Sequence, residues 1–473
     1  MATREERDAL GPVQVPADAY YGAYTARALP LFQIGEERFP RAFLRALAQV
    51  KWASARALAE LGELDQERAD LIARAAEEMA DGRFDEHFPL PIWQTGSGTH
   101  TNINANEVLA NRANELAGRP LGGYDPVHPL DHVNRGQSSN DVIPTALHLA
   151  LATELAGTLE PALDDLAVAL QEKARNFQAL RKVGRTHLMD AAPVTLGQEF
   201  AAWASQVRAA RSGLETARAG LHALTLGGTA VGTGLNAPAG FAEAAIAHLE
   251  KLTGLPLREV ENRLAAQGAH DAVIHASGAL RSTAVALMKI ANDVRLLASG
   301  PRCGFGELVL PANELGSSAM PGKINPTQAE ALALVCAQVC GNDHAAAVGG
   351  LMGQLELNTF KPLLAHTTLQ STRLLADACR SFRDHCVAGI EADEERLAHF
   401  RDRSLGAAAA LVRRVGYERA AEAVLLARRE DLTLREAVRR LDLISEEEFD
   451  TAMAALLPPA SNVGEAPGST ESW

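Results

Sequence analysis

The chain has 473 residues, 47% of them hydrophobic and 22% charged, with a formal net charge of −14; this is globular material for about three domains at ~150 residues each. The acidic balance excludes a chain-wide electrostatic hold on nucleic acid, so an anion must be bound by a local set of donors. Five cysteines make no disulfide framework, no window approaches the ~18 apolar residues of a membrane span, and the charged start MATREERDAL has no apolar signal region, so the expectation is a cytoplasmic protein with no membrane or nucleic-acid partner.

Aromatic residues are only 5% and alanine is abundant, which favours helix over sheet. Residues 1–138 read as a mixed N-terminal domain that ends in two polar clusters. These are Ser97-Gly98-Thr99-His100-Thr101-Asn102 and Gln137-Ser138-Ser139-Asn140-Asp141. In the second, Ser139, Asn140 and Asp141 can cap a helix with Pro144 in its first turn. An apolar stripe follows at Leu155, Leu159, Leu163, Leu166, Leu170, Ala174, Phe177 and Leu180, with Pro161 expected to kink it.

A third cluster, Gly184-Arg185-Thr186-His187, precedes Thr195-Leu196-Gly197-Gln198, a capping-box pattern. A second stripe then runs Leu196, Phe200, Trp203, Val207, Ala210, Leu214, Ala217, Leu221, and a third runs Val273, Ser277, Leu280, Ala284, Leu287, Ala291, Val294, Ala298. Each is about twice the usual helix length, so residues 139–357 read as a long-helix bundle. Gly227, Gly228, Gly232 and Gly234 lack the βαβ setting of a nucleotide loop.

Between Gly300 and Lys323 the pattern has no period and is rich in glycine and proline; so long a connection in a helical protein points to a lid or binding loop. It contains the fourth cluster, Gly316-Ser317-Ser318-Ala319-Met320-Pro321-Gly322-Lys323-Ile324-Asn325, ending at a helix start, Asn325-Pro326-Thr327-Gln328. Cys336 and Cys340 lie one turn apart, but no second pair has ligand spacing, so no metal is expected. Residues 358–457 read as a smaller helical domain, with capping boxes at Thr433–Glu436 and Ser445–Glu448, and residues 458–473 as a disordered tail.

All four clusters lie at or just before expected helix starts, where free N–H groups and the helix dipole favour anions. Each alone reads more readily as a helix cap. Together, with Lys323 adding a full charge, they can hold a small dicarboxylate.

The run Gly316-Ser-Ser-Ala-Met-Pro-Gly-Lys-Ile-Asn325 matches the GSSxMPxKxN signature of the fumarase/aspartase superfamily. The resemblance extends from Val15 to about Phe449, through Thr95–Arg112, Asn134–Asp141 with Pro144, and Gly184–Asp190 leading into Thr195–Glu199. Within the superfamily the chain resembles class II fumarases. His187, Gly322 before Lys323, and Asn358-Thr-Phe-Lys-Pro362 separate it from the aspartate ammonia-lyase pattern.

The resemblance implies an all-α, three-domain fold and a homotetramer whose long helices form a twenty-helix core. Each active site would take residues from three chains. It implies reversible hydration of fumarate to L-malate through an aci-carboxylate, with no cofactor. Ser317 would take the carbon proton, and His187, paired with Glu330, would handle the oxygen side. Ser97, Gly98, Thr99, Ser138, Ser139, Asn140, Thr186, Ser318, Lys323, Ile324 and Asn325 would bind substrate. The family's second dicarboxylate site falls on His128, Pro129, Leu130 and Asp131, where Leu130 replaces an amide. Two other readings stay open on sequence alone: an ammonia-lyase or related fumarate-releasing lyase, and a catalytically silent relative.

Overall fold

A computed structural model describes residues 2–456; the expected disordered tail, 458–473, lies outside the described residues. The fold is dominated by helices, with five sheets of two strands each among the described residues. The first apolar stripe runs over the π turn Leu155–Leu159 and helix Glu160–Asn176, with Phe177 and Leu180 beyond its end, and the second and third lie on helices Leu196–Leu221 and Asp271–Leu297, with Ala298 just past the last; their core positions from Leu163 to Val294 are almost wholly buried. The break at Pro161 takes the form of a π turn, Leu155–Leu159, between helices Ser139–Glu154 and Glu160–Asn176. Pro161 has no N–H for the carbonyl of Gly157, and its ring would press on that carbonyl, so a wider turn relieves both problems.

The capping signals hold in detail. Thr195 and Gln198 bond reciprocally, as do the Thr433–Glu436 and Ser445–Glu448 pairs. Helix Ser139–Glu154 starts one residue earlier than its sequence suggests: Ser138 is the cap and Asp141 closes a capping box on it. Asn325 does not cap helix Thr327–Leu351; its side chain donates to the carbonyl of Gly316 and closes the preceding loop instead.

The described chain forms two compact units. The first comprises residues 2–161, 211–284 and 335–376, and the second residues 162–210, 285–334 and 377–456. In the first unit, the carboxylate of Glu107 on helix Thr99–Leu116 caps helix Ala23–Ala28. It accepts from the amides of Gly22 and Tyr24 and from the hydroxyl of Thr25. Burial pushes its pKa up to about 7.

In the second unit, Phe177 meets Phe200 edge-on and Phe200 meets Trp203 at a tilt, with ring centroids 5.3 and 4.6 Å apart, and the Trp203 indole N–H donates to Asp293. This unit also holds a feature the helical patterning hides, an antiparallel hairpin of Arg181–Thr186 and Met189–Thr195. Lys182 on the hairpin is buried and reaches Glu199 and Glu307, both at 2.8 Å. Arg185 reaches Glu307 at 2.7 Å and lies over the Phe305 ring. Glu307 is fully buried, and its contacts are ionic ones that lack aligned hydrogen-bond geometry. It therefore ties the hairpin to the start of the long aperiodic loop.

Against the sequence expectation, two helical stretches are long and apolar enough to cross a membrane by length and composition: Ser139–Asn176 and Thr327–Leu351. Alanine and glycine, rather than large apolar residues, conceal this in the sequence. The apolar window of the first is 72% buried and belongs to the core, whereas that of the second is only 28% buried. Leu334 and Leu351 on it are 73% and 82% exposed.

Replacing Glu307 with Gln keeps its volume but removes the carboxylate that pairs with Arg185 and one of the two that Lys182 reaches. Breaking such a pairing costs about 3–5 kcal/mol. Chemical denaturation should show a loss of that order; a change under about 1 kcal/mol would show that Glu307 is not the anchor.

Candidate active site

The candidate residues fall into two groups, one in each unit, and each group has its own scaffold. In the first unit, Gly98 takes a left-handed conformation (φ 74°) just before helix Thr99–Leu116, where a Cβ would press on Ile143. The hydroxyls of Ser97 and Thr99 are 2.7 Å apart across that turn. The backbone amide of Lys361 donates to the carbonyl of Gly96, and a Cβ at Gly96 would strike Thr359. The Asn358–Pro362 segment thus buttresses the first cluster from behind.

The second cluster is held from below by buried polar groups. Asp141 is fully buried and accepts from the amides of Ser138, Gly227 and Thr229. Its burial raises its pKa, while those amides and Lys51 oppose the rise. Lys51 is also fully buried and donates to Asn134 at 3.1 Å and to Gln137 at 3.0 Å. Burial pushes the Lys51 ammonium down to about 7. The Asn134 side-chain oxygen accepts from Asn102 and Asn106 as well. This cage fixes the chain between Asn134 and Ser138, and with it the helix start that carries Ser139 and Asn140.

Above the cage lies a cavity of about 320 Å³ whose lining includes Asn102, Asn134, Gln137, Ser138 and Ser139. Leu130 lines it too and is half exposed. The proposed second-site segment His128–Asp131 begins a π turn, Pro129–Val133, which His128 caps: its Nδ1 accepts from the amides of Leu130 and Asp131. Asn140 does not face the cavity with a free amide; its Nδ2 donates to the carbonyl of Ala230 at 2.7 Å.

In the second unit, His187 and Leu188 are the two turn residues of the hairpin, both left-handed at φ 56° and 61°. This is the geometry of a type I′ turn, normally given to Asn-Gly. A non-glycine residue held there costs about 1–3 kcal/mol, and such strain gathers at functional positions. Thr186, His187 and Leu188 are exposed at the tip.

The fourth cluster forms a closed loop. The Gly316 amide donates to the carbonyl of Lys323 at 2.9 Å, and the Asn325 side chain ties the same ends. Inside it, Ser317 Oγ accepts from two backbone amides, Ala319 at 3.2 Å and Met320 at 2.9 Å. No such pair is aimed at Ser318 among the described residues. Lys323 and Ile324 stand exposed on the rim. Glu330, in the first turn of helix Thr327–Leu351, lies 3.8 Å from Arg295. Within one chain it forms no ion pair with His187 among the described residues.

Sequence reasoning missed Lys51, Asn106 and Lys361, although one signal was available. Lys51 occupies a core position of helix Arg41–Glu60, between Leu47 and Leu58 on one buried face. A lysine there must have buried partners. Lys361 is buried with no hydrogen-bond partner for its Nζ. No group of three metal-ligating side chains gathers among the described residues. Cys336 is buried, and burial pushes its thiol up to about 12, which keeps it protonated.

Residues 11–341 match the "Lyase" family model and residues 408–456 the "Fumarase C C-terminus" model. The chain is 54% identical over 448 residues to fumarate hydratase class II of Thermosynechococcus vestitus, covering 95% of this chain and 96% of that one. In structure it is similar to the class II fumarase of Schistosoma mansoni (TM-score 0.94, 41% identity, 97% of this chain and 100% of that one). It is also similar to a Brucella melitensis fumarate lyase:delta crystallin bound to cobalt (TM-score 0.93, 43% identity, 96% and 99%).

Proposed function

The chain belongs to the class II fumarate hydratase family, and from that premise we propose how its residues divide the reversible hydration of fumarate to L-malate. The enzyme is a lyase acting on a small dicarboxylate. In the malate direction a proton leaves C3, a dianionic aci-carboxylate forms, and hydroxide leaves C2.

Ser317 is the base. The observation that carries this assignment is the pair of amides, from Ala319 and Met320, that donate to its Oγ. An alkoxide is a strong base but costly to form, and fixed donors aimed at the oxygen lower that cost where the charge develops. Lys323 supplies the nearby positive charge. The alkoxide takes the C3 proton, and Lys323, Asn325 and Thr186 stabilise the charge that moves onto the carboxylate. His187, oriented by Glu330, delivers a proton to the departing hydroxyl, so water is the second product. Ser97, Gly98, Thr99, Ser138, Ser139, Asn140, Ser318 and Ile324 hold the substrate carboxylates. No step calls on a cofactor or metal.

His187 is exposed at its hairpin tip, and Glu330 faces Arg295 within the chain. This supports a site completed between chains of a homotetramer. The weakly buried apolar helix Thr327–Leu351, with Leu334 and Leu351 exposed, supplies a face for that assembly. Residues 1–138, 139–357 and 358–457 then act as an N-terminal domain, a bundle that builds the tetramer core, and a C-terminal domain, in a cytoplasmic enzyme.

The ultraviolet absorbance of fumarate tests the activity directly: L-malate should be turned over and L-aspartate should not. Ser317→Ala should lower kcat by about 10²–10⁴-fold with little change in KM, the range for a lost general base. Ser318→Ala should instead raise KM by roughly 10–100-fold, the value of one hydrogen bond to a charged group. The reverse pattern would transfer the role to Ser318. Shared sites make a separate prediction. Mixing inactive His187→Asn and Ser317→Ala chains under subunit exchange should restore activity that neither parent has, and no recovery in verified mixed tetramers would place both residues in one chain's site.

A further inference from the structure

The first unit contains a second cavity, of about 330 Å³, whose lining shares no residue with the four clusters. Its lining includes four arginines, Arg38, Arg41, Arg45 and Arg373, with Glu154 as the only carboxylate, and His366, whose pKa is lowered by burial. That is a concentration of positive charge in a chain whose net charge is −14.

Helix geometry puts these groups together. Arg41 and Arg45 are one turn apart on helix Arg41–Glu60. His366 and Arg373 are two turns apart on helix Lys361–His385, with Leu369 and Gln370 between them on the same face. Three of the arginines are uncommitted. Arg45 and Arg373 are exposed and form no ion pair among the described residues, and Arg38 donates only to the carbonyl of Glu37. Arg41 is held by Asp85 and by the carbonyl of Ala80, yet its Nη1 is buried with no partner. Helix Arg41–Glu60 also begins here with no side-chain cap, so its free amides face the same end.

Like charges gathered around a cavity repel one another, and a bound anion removes that cost. Guanidinium groups match phosphoryl oxygens in pairs, and several at once favour a ligand with more than one phosphoryl group. We propose that this cavity is a polyphosphate-binding site, separate from the hydratase site, in which Arg45 and Arg373 grip the phosphoryl groups from opposite helices and Arg41 anchors the floor. The same chemistry is offered by free inorganic polyphosphate and by the tail of a nucleoside triphosphate.

Titration calorimetry on the assembled enzyme at fixed ionic strength tests this, with inorganic tripolyphosphate, a nucleoside triphosphate and inorganic phosphate as probes. The expected result is one saturable site per chain for tripolyphosphate, at least tenfold tighter than for phosphate. Saturating L-malate should leave it unchanged. The double variant Arg45→Ala/Arg373→Ala should lose at least tenfold in affinity and keep the hydratase kcat, which also reports correct folding. A nucleoside triphosphate that binds equally well identifies the phosphate chain as the whole determinant; one that binds more tightly identifies the nucleotide as the source. The proposal is overturned if tripolyphosphate does not bind, if L-malate displaces it, or if the double variant binds it normally. Because hydratase activity is read separately, none of these outcomes touches the assignment of the reaction.

Discussion

A chain with fourteen excess negative charges has to hold a dianion and stabilise a still more basic intermediate. That constraint orders most of what surrounds the site. Carboxylates are turned away from the ligand and consumed in buried sockets. Asp141 sits at the very helix start that offers Ser139 and Asn140, yet it points inward, where three amides and Lys51 satisfy it. Glu307, beside the long loop, is locked between Lys182 and Arg185. The groups we propose for the ligand side are neutral hydroxyls, amides and a single exposed ammonium, Lys323. Neutral donors at helix starts favour an anion without the cost of burying unpaired cations.

The same economy explains why the scaffold tolerates strain at the hairpin tip. A His-Leu pair in a left-handed turn is less stable than Asn-Gly by about 1–3 kcal/mol per residue. The Lys182–Glu307–Arg185 contacts and the stacking of Arg185 on Phe305 hold the strands below the turn, so the tip can carry an imidazole in a fixed direction. Ser317 is treated in the opposite way. Its loop is closed by Asn325 and by the Gly316–Lys323 backbone bond, and its oxygen is the point on which two amides converge. In the roles we propose, the projecting His187 serves the oxygen side and the nested Ser317 bears charge.

Much of this was legible in the residues. The three apolar stripes appear at their predicted positions because a 3.6-residue period sustained over twenty residues has no competing fold. The aperiodic segment from Gly300 to Lys323 is a loop apart from a two-residue strand, Leu308–Val309, in keeping with its glycines and prolines. The hairpin at 181–195 escaped notice because its turn breaks the Asn-Gly rule and its strands mix buried charges with apolar residues. Lys51 was hidden by the assumption that lysine marks a solvent face. The open apolar face of Thr327–Leu351 was also missed, since alanine-rich periodicity does not say whether the partner is the same chain or another. Its exposure in one protomer is what supports assembly.

The central claim is that carbon and oxygen chemistry are divided between Ser317 and His187. It is tested most directly by following exchange of the malate C3 proton with solvent deuterium alongside exchange of the malate hydroxyl oxygen with labelled water. The account predicts that Ser317→Ala abolishes carbon exchange, whereas His187→Asn suppresses oxygen exchange more than carbon exchange. Near-normal carbon exchange in Ser317→Ala would contradict it, and would mean that the two amides at Ser317 only shape the loop.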